Sequence, residues 1–158
     1  MTSQMGGCQC GALRYKIEGK LGDASICHCR MCQKAFGSWG AALVSVPLNS
    51  FTWTRGLPAT FNSSSIVKRG FCAVCGTPMF MQEAGDSNIE LAIGTLDNPN
   101  AIAALTTQDG VESRVAWFNQ MQNLPMRNTD QTMPGADWQK LKSLQHPDHD
   151  TIVWPPLK

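Results

Sequence analysis

The sequence predicts a mainly β domain, built from short antiparallel sheets with few short helices. Three observations predict it. Apolar and polar residues alternate over short runs, the period of a half-buried strand, while helical spacing is sparse. Gly, Pro, Asn and Asp separate those runs at near-regular intervals. The seven cysteines fall in close groups: Cys8-Gln9-Cys10, Cys27-His28-Cys29-Arg30-Met31-Cys32 and Cys72-Ala73-Val74-Cys75. Grouping of that kind adds a metal, zinc above all, to whatever the apolar core supplies.

Residues 13–18 alternate apolar and polar and read as a half-buried strand, closed by Gly19 and then Gly22-Asp23. Residues 39–47 are apolar and Val-rich and stop at Pro47. Short strands follow at 51–54, 60–63, 66–71, 79–82 and 88–93. The turns between them include Gly56-Leu57-Pro58 and Gly85-Asp86, and Asp97-Asn98-Pro99-Asn100 follows the last. A short turn is expected after Cys32. Near the C-terminus Asp137 is placed to cap a short helix with Trp138, Leu141 and Leu144 on one side. From Met126 onward the chain is rich in Pro, Asp, Asn and Gln and reads as a loosely packed tail, including His146-Pro147-Asp148-His149-Asp150. Residues 1–125 are the expected domain. Residues 126–158 are an extension packed on it or trailing from it.

A chain of 158 residues makes about one domain, and 42% hydrophobic content is enough for a core. Net charge is +1, and no basic cluster exceeds Lys68-Arg69, which argues against a nucleic-acid partner. No apolar run approaches the roughly 20 residues of a membrane span. The first seven residues lack a basic start and an apolar stretch, so no signal peptide is expected. Clustered thiols without export point to a reducing, cytoplasmic setting and to metal rather than disulfides.

An odd number of cysteines leaves a thiol over in any disulfide scheme, and the count divides as four plus three. Gly follows Cys10 and Cys75, as in zinc knuckles, where the chain turns back with φ > 0 and aims N–H groups at the sulfurs. Cys8, Cys10, Cys72 and Cys75 are therefore paired as one closed, structural zinc site. Cys27, Cys29 and Cys32 form a three-thiolate group, which leaves a zinc position open for water or an exogenous thiol. An Asp, a His or a water completing a second closed site is the alternative, as is a shifting thiolate set. In an extended segment His28 faces away from Cys27 and Cys29, so it reads as a substrate contact or a support rather than a ligand.

Gly7-Cys8-Gln9-Cys10-Gly11, Cys27-His28-Cys29-Arg30-Met31-Cys32, Arg69-Gly70-Phe71-Cys72-Ala73-Val74-Cys75-Gly76-Thr77 and Gly94-Thr95-Leu96-Asp97 together resemble the glutathione-dependent formaldehyde-activating (GFA) family, which shares a domain with centromere protein V. The resemblance runs from about Gly6 to Pro125. It implies an Mss4-like, zinc-stabilised fold and carbon–sulfur lyase activity. The implied substrate is an S-hydroxymethylglutathione-like adduct of glutathione, or a similar thiol, with formaldehyde or another small aldehyde. It also implies structural zinc at the outer pairs and catalytic zinc at the trio. Gln108 stands where many relatives carry His, which removes any acid–base or metal role of that residue. Arg69, Lys34, Lys68 and Arg30 are candidates for holding a glutathione-like thiol by its carboxylates, Arg69 foremost. Phe36 and Trp39 line a pocket beside the open zinc or pack in the core. The competing functions are a non-catalytic zinc module for protein recognition and a purely structural zinc protein that holds a homo-oligomer together.

Overall fold

The computed structural model describes residues 3–102, 104–133 and 135–155. Among them the strands form two sheets. The smaller joins β1 (Ser3–Gly7), β2 (Arg14–Glu18) and β5 (Phe51–Arg55) in the order β1-β2-β5. The larger contains β3 (Ala24–Cys27), β4 (Ala41–Pro47), β6 (Ala59–Asn62), β7 (Val67–Phe71), β8 (Pro78–Glu83), β9 (Asn88–Ala92) and β10 (Thr107–Asp109). Its order is β10-β3-β4-β9-β8-β7-β6. All pairs are antiparallel except β10 with β3, which is parallel and so departs from the expected purely antiparallel sheets.

Alternation builds the core. Leu13, Tyr15 and Ile17 point inward from and just before β2 and are essentially fully buried. Tyr15 packs edge-on to Trp53 at 5.9 Å between centroids, and its hydroxyl meets Thr95 Oγ1 at 2.9 Å. Val44, Val46, Ile89, Leu91, Met79 and Phe80 of the larger sheet complete this main core, and Cys8 and Cys72 belong to it. On β4 the opposite set, Ala41 and Leu43, faces a second, smaller cluster with Cys32, flanked by Cys27, Cys29, Phe36 and Met81. One strand thus divides the two thiol groups. The four-cysteine group lies in the main core and the trio lies on the other face of the larger sheet.

Three segments depart from expectation. Helix α1 (Arg30–Phe36) begins before Cys32, with Cys29 as its N-cap and Gly37 (φ 59°) as its left-handed C-cap. Among the described residues the C-terminal segment contains only the single turns α2 (Thr129–Thr132) and α3 (Gly135–Trp138). Asp137 sits inside α3, Leu141 and Leu144 are exposed beyond it, and the side chain of Trp138 lies outside the description. The His146–Asp150 run is docked at one end: His146 is only 4% exposed, while Asp148, His149 and Asp150 are exposed. Among the described residues no helix is long and apolar enough to cross a membrane.

Candidate metal centre

β1 and β7 end at matched turns. Gly11 (φ 76°) and Gly76 (φ 78°) take the left-handed conformation that the knuckle pattern requires. Gly11 N–H returns to Cys8 O at 3.0 Å and Gly76 N–H to Cys72 O at 2.8 Å. The four sulfurs of Cys8, Cys10, Cys72 and Cys75 converge. Cys8 and Cys10 sulfurs are 3.6 Å apart, and Cys10 and Cys72 sulfurs 3.8 Å. A disulfide needs about 2 Å. Four thiolates arranged tetrahedrally around an ion at about 2.3 Å lie about 3.8 Å apart. The donor set therefore fits one metal ion. Leu13 N–H donates to Cys8 Sγ at 3.2 Å, the amide support such sites use.

The C-terminal segment straps this turn. His146 N–H donates to Gln9 O at 2.8 Å, and Trp154 Nε1 donates to Cys10 O at 2.6 Å. The His146 ring lies over Gly11, where a Cβ would overlap it. Arg55 reaches Thr151 O and His146 Nε2. Arg14, 2% exposed, bridges Asp97 at 2.7 Å and Asp150 at 2.6 Å, which makes its burial affordable. A polar position in an alternating strand gives no hint of such burial, because both partners are distant in sequence.

Cys27, Cys29 and Cys32 also converge, with all donor atoms within 4.8 Å, and among the described residues no histidine or carboxylate joins them. β3 delivers Cys27 and the first turn of α1 delivers Cys32. Cys29 Sγ accepts the Cys32 N–H at 3.4 Å. The 108–114 segment wraps the trio through the β3–β10 pair: Asp109 O accepts the His28 N–H at 2.7 Å, and Gly110 packs tightly on Cys29. Gln33, buried in α1, ties these pieces together by donating to His28 O at 2.6 Å and Ser113 O at 2.8 Å. The sequence offered no signal for Gln33 beyond its place next to Cys32.

Electrostatics differ within the trio. Burial pushes the Cys27 thiol up to about 12, opposed by the Cys29 backbone N–H, which donates to the sulfur. Burial also pushes Cys32 up, against the pull of Arg69. At Cys29 burial is outweighed by the Cys32 amide and the neighbouring thiols, so its thiol lies below the ordinary range. In the four-cysteine group Cys75 is lowered to about 6; burial raises it, but bonds from Thr77 prevail.

The other predicted site residues scatter. His28 is fully buried, faces away from the trio, and packs edge-on to Phe118 at 4.8 Å and beside Trp39 at 6.0 Å. Gln108 Oε1 receives both Arg114 Nη1 at 3.2 Å and His28 Nε2 at 3.1 Å. Arginine only donates, so the oxygen faces both groups and His28 Nε2 is also a donor. Phe36 packs against the trio's cluster. Lys34 is exposed and lines a hollow of about 490 Å³ with Arg30, Trp39 and Trp117. Arg69 is 4% exposed; its Nη2 donates to Cys32 Sγ at 3.2 Å and its Nε to Ser63 Oγ at 3.0 Å. A groove of about 630 Å³ opens at Cys27 and runs along the outer sheet face past Leu43, Ser45, Met81, Glu90 and Asp109.

Two packed sheets with one closed and one incomplete thiol cluster define a mainly β protein with two sets of metal donors. The chain belongs to the glutathione-dependent formaldehyde-activating enzyme family, whose model matches residues 3–109. No curated protein matches it. The crystal structure of a Rhodobacter sphaeroides protein shares the fold, with a TM-score of 0.54 and 22% identity, covering 66% of this chain and 98% of that one.

Proposed function

We propose that the protein is a zinc-dependent carbon–sulfur lyase that makes or splits a thiol–aldehyde adduct of the S-hydroxymethylglutathione kind. The observation that carries this reading is the trio: three converging sulfurs with no fourth donor among the described residues, opening at Cys27 onto a groove. Membership of a family named for glutathione-dependent formaldehyde activation supports this reaction class. A zinc ion held by Cys27, Cys29 and Cys32 supplies Lewis acidity and lowers the pKa of a thiol that reaches it. A second zinc at Cys8, Cys10, Cys72 and Cys75 is structural.

The chain's own part is positional. Cys27, Cys29 and Cys32 fix three sulfur positions and leave the groove side free. In the synthetic direction the thiol loses its proton to water in the groove, its sulfur attacks the aldehyde carbon, and the carbonyl electron pair moves to oxygen, which takes up a proton. One C–S bond forms and nothing is oxidised; cleavage is the reverse. Arg30 and Lys34, in the hollow walled by Trp39, suit the carboxylates of a glutathione-like thiol. His28 and Phe36 read as supports, since one is sealed between aromatic rings and the other packs in the trio's cluster.

Cys29→Ser is the test. Metal content should fall by one ion per chain, the far-ultraviolet circular dichroism should persist, and turnover of S-hydroxymethylglutathione should vanish. A folded Cys29→Ser protein with undiminished turnover refutes the proposal and favours the non-catalytic recognition module.

A further inference from the structure

We propose that Arg69 is a positioning residue of the three-cysteine site: it balances the charge of the trio through Cys32 and selects an anionic thiolate as the fourth ligand. This inference rests on reading the trio as a metal site. Arg69 projects from β7, whose register sets it opposite Met81 and Phe61, and Met81 packs on the trio's cluster. Its guanidinium is held at two points, Ser63 Oγ and Cys32 Sγ. The third nitrogen, Nη1, is buried and has no partner. Among the described residues no carboxylate pairs with Arg69.

A buried guanidinium without a carboxylate calls for another counter-charge. The charge count provides one. Three thiolates around a divalent ion carry one net negative charge, which Arg69 cancels. The set then accepts an anionic fourth ligand far more readily than an uncompensated one does. Nη1 has no partner to discharge it, so the guanidinium keeps its full charge beside the trio. Arg69 is therefore committed to the sulfurs. It is not free on the surface to clasp a substrate carboxylate.

The experiment uses full-length protein with cobalt in place of zinc, titrated with 2-mercaptoethanol and, separately, with neutral imidazole while the visible spectrum is followed. Arg69→Gln should weaken thiol binding about 10- to 100-fold, the range for loss of a partner behind a metal ligand, and change imidazole binding much less. Arg69→Lys should restore most of the thiol affinity. Equal thiol affinity in wild type and Arg69→Gln overturns the proposal. So does an equal loss for thiol and imidazole, which marks simple structural damage. Should Arg69→Gln fail to fold, Ser63→Ala carries the test: it should weaken thiol binding several-fold and spare imidazole, and no change overturns the proposal. Arg69-dependent thiol capture without adduct turnover refutes only the lyase reading. Turnover with Arg69-independent capture refutes only this one.

Discussion

Replacing Gly11 by alanine should destabilise the domain by about 3 kcal/mol, against about 1 kcal/mol for the same change at Gly76. Both glycines have φ near 77°, so each substitution incurs about 1 kcal/mol for a left-handed alanine. At Gly76 nothing lies within 4 Å of the new Cβ. At Gly11 the Cβ would overlap the His146 ring, so the strap must lift. Lifting it loses the His146 N–H bond to Gln9, about 1 kcal/mol, and the burial of the ring, about another 1 kcal/mol. Equilibrium urea unfolding in zinc-containing buffer, followed by circular dichroism, reads both costs. For a chain of this length the corresponding falls in Tm are about 9 °C and about 3 °C. His146→Gly closes the cycle, because it removes the ring and also the His146 Cβ, which stands 2.9 Å from the new methyl. In that background the Gly11 cost should drop to the Gly76 value. Equal costs at the two glycines in the wild-type chain, or a Gly11 cost unchanged by His146→Gly, would refute the reasoning.

The remaining expectations concern the thiols and one carboxyl. Cys75→Ser should unfold the chain: its site links Cys10 to Cys72 across 62 positions, and closing that loop is worth about 2 kcal/mol more than closing the six-residue trio, besides the metal's own contribution. A Cys75→Ser protein with wild-type Tm and metal content would contradict this. After mild chelation empties the trio, iodoacetamide should label Cys29 before Cys27, because Cys29 ionises below the ordinary range while Cys27 is held at about 12; peptide mass spectrometry gives the order. Burial raises the Glu90 carboxyl; a hydrogen bond from Ser45 opposes this, and the nearby Asp86 and Asp109 carboxylates raise it further. The folded state therefore holds that proton more tightly than the unfolded one, and stability falls as pH rises from the ordinary carboxyl range through the raised value. Glu90→Gln should flatten that slope and raise Tm at pH 7; an unchanged pH profile would show that Glu90 is not the source.

Strands with strong alternation were legible. Residues 13–18 place Leu13, Tyr15 and Ile17 on one face, and the structure buries those three. The turns after Cys10 and Cys75 were legible from glycine alone, since φ > 0 is needed there. β1 and β10 were not: one is Gly-rich, and the other is three exposed residues whose only support is a parallel partner far away in sequence. Helix α1 was blurred because its cap is a cysteine, outside the usual capping set. Arg14, Arg69 and His146 share one difficulty. Each is a polar residue buried by partners 37 to 136 positions away, or by a glycine that leaves it room, and no local pattern carries that information.

The position of the trio outside the main core has a consequence for mutagenesis. Ser25, Ser45, Met81 and Glu90 line the groove from the outer face of the larger sheet, while Val44, Val46, Ile89 and Leu91 hold the interior from the other face of neighbouring strands. Because side chains alternate, the groove can be rewritten one residue at a time without opening a cavity among the interior side chains. Under the proposed function, substitutions along the groove would leave the knuckles and the docked C-terminal segment untouched.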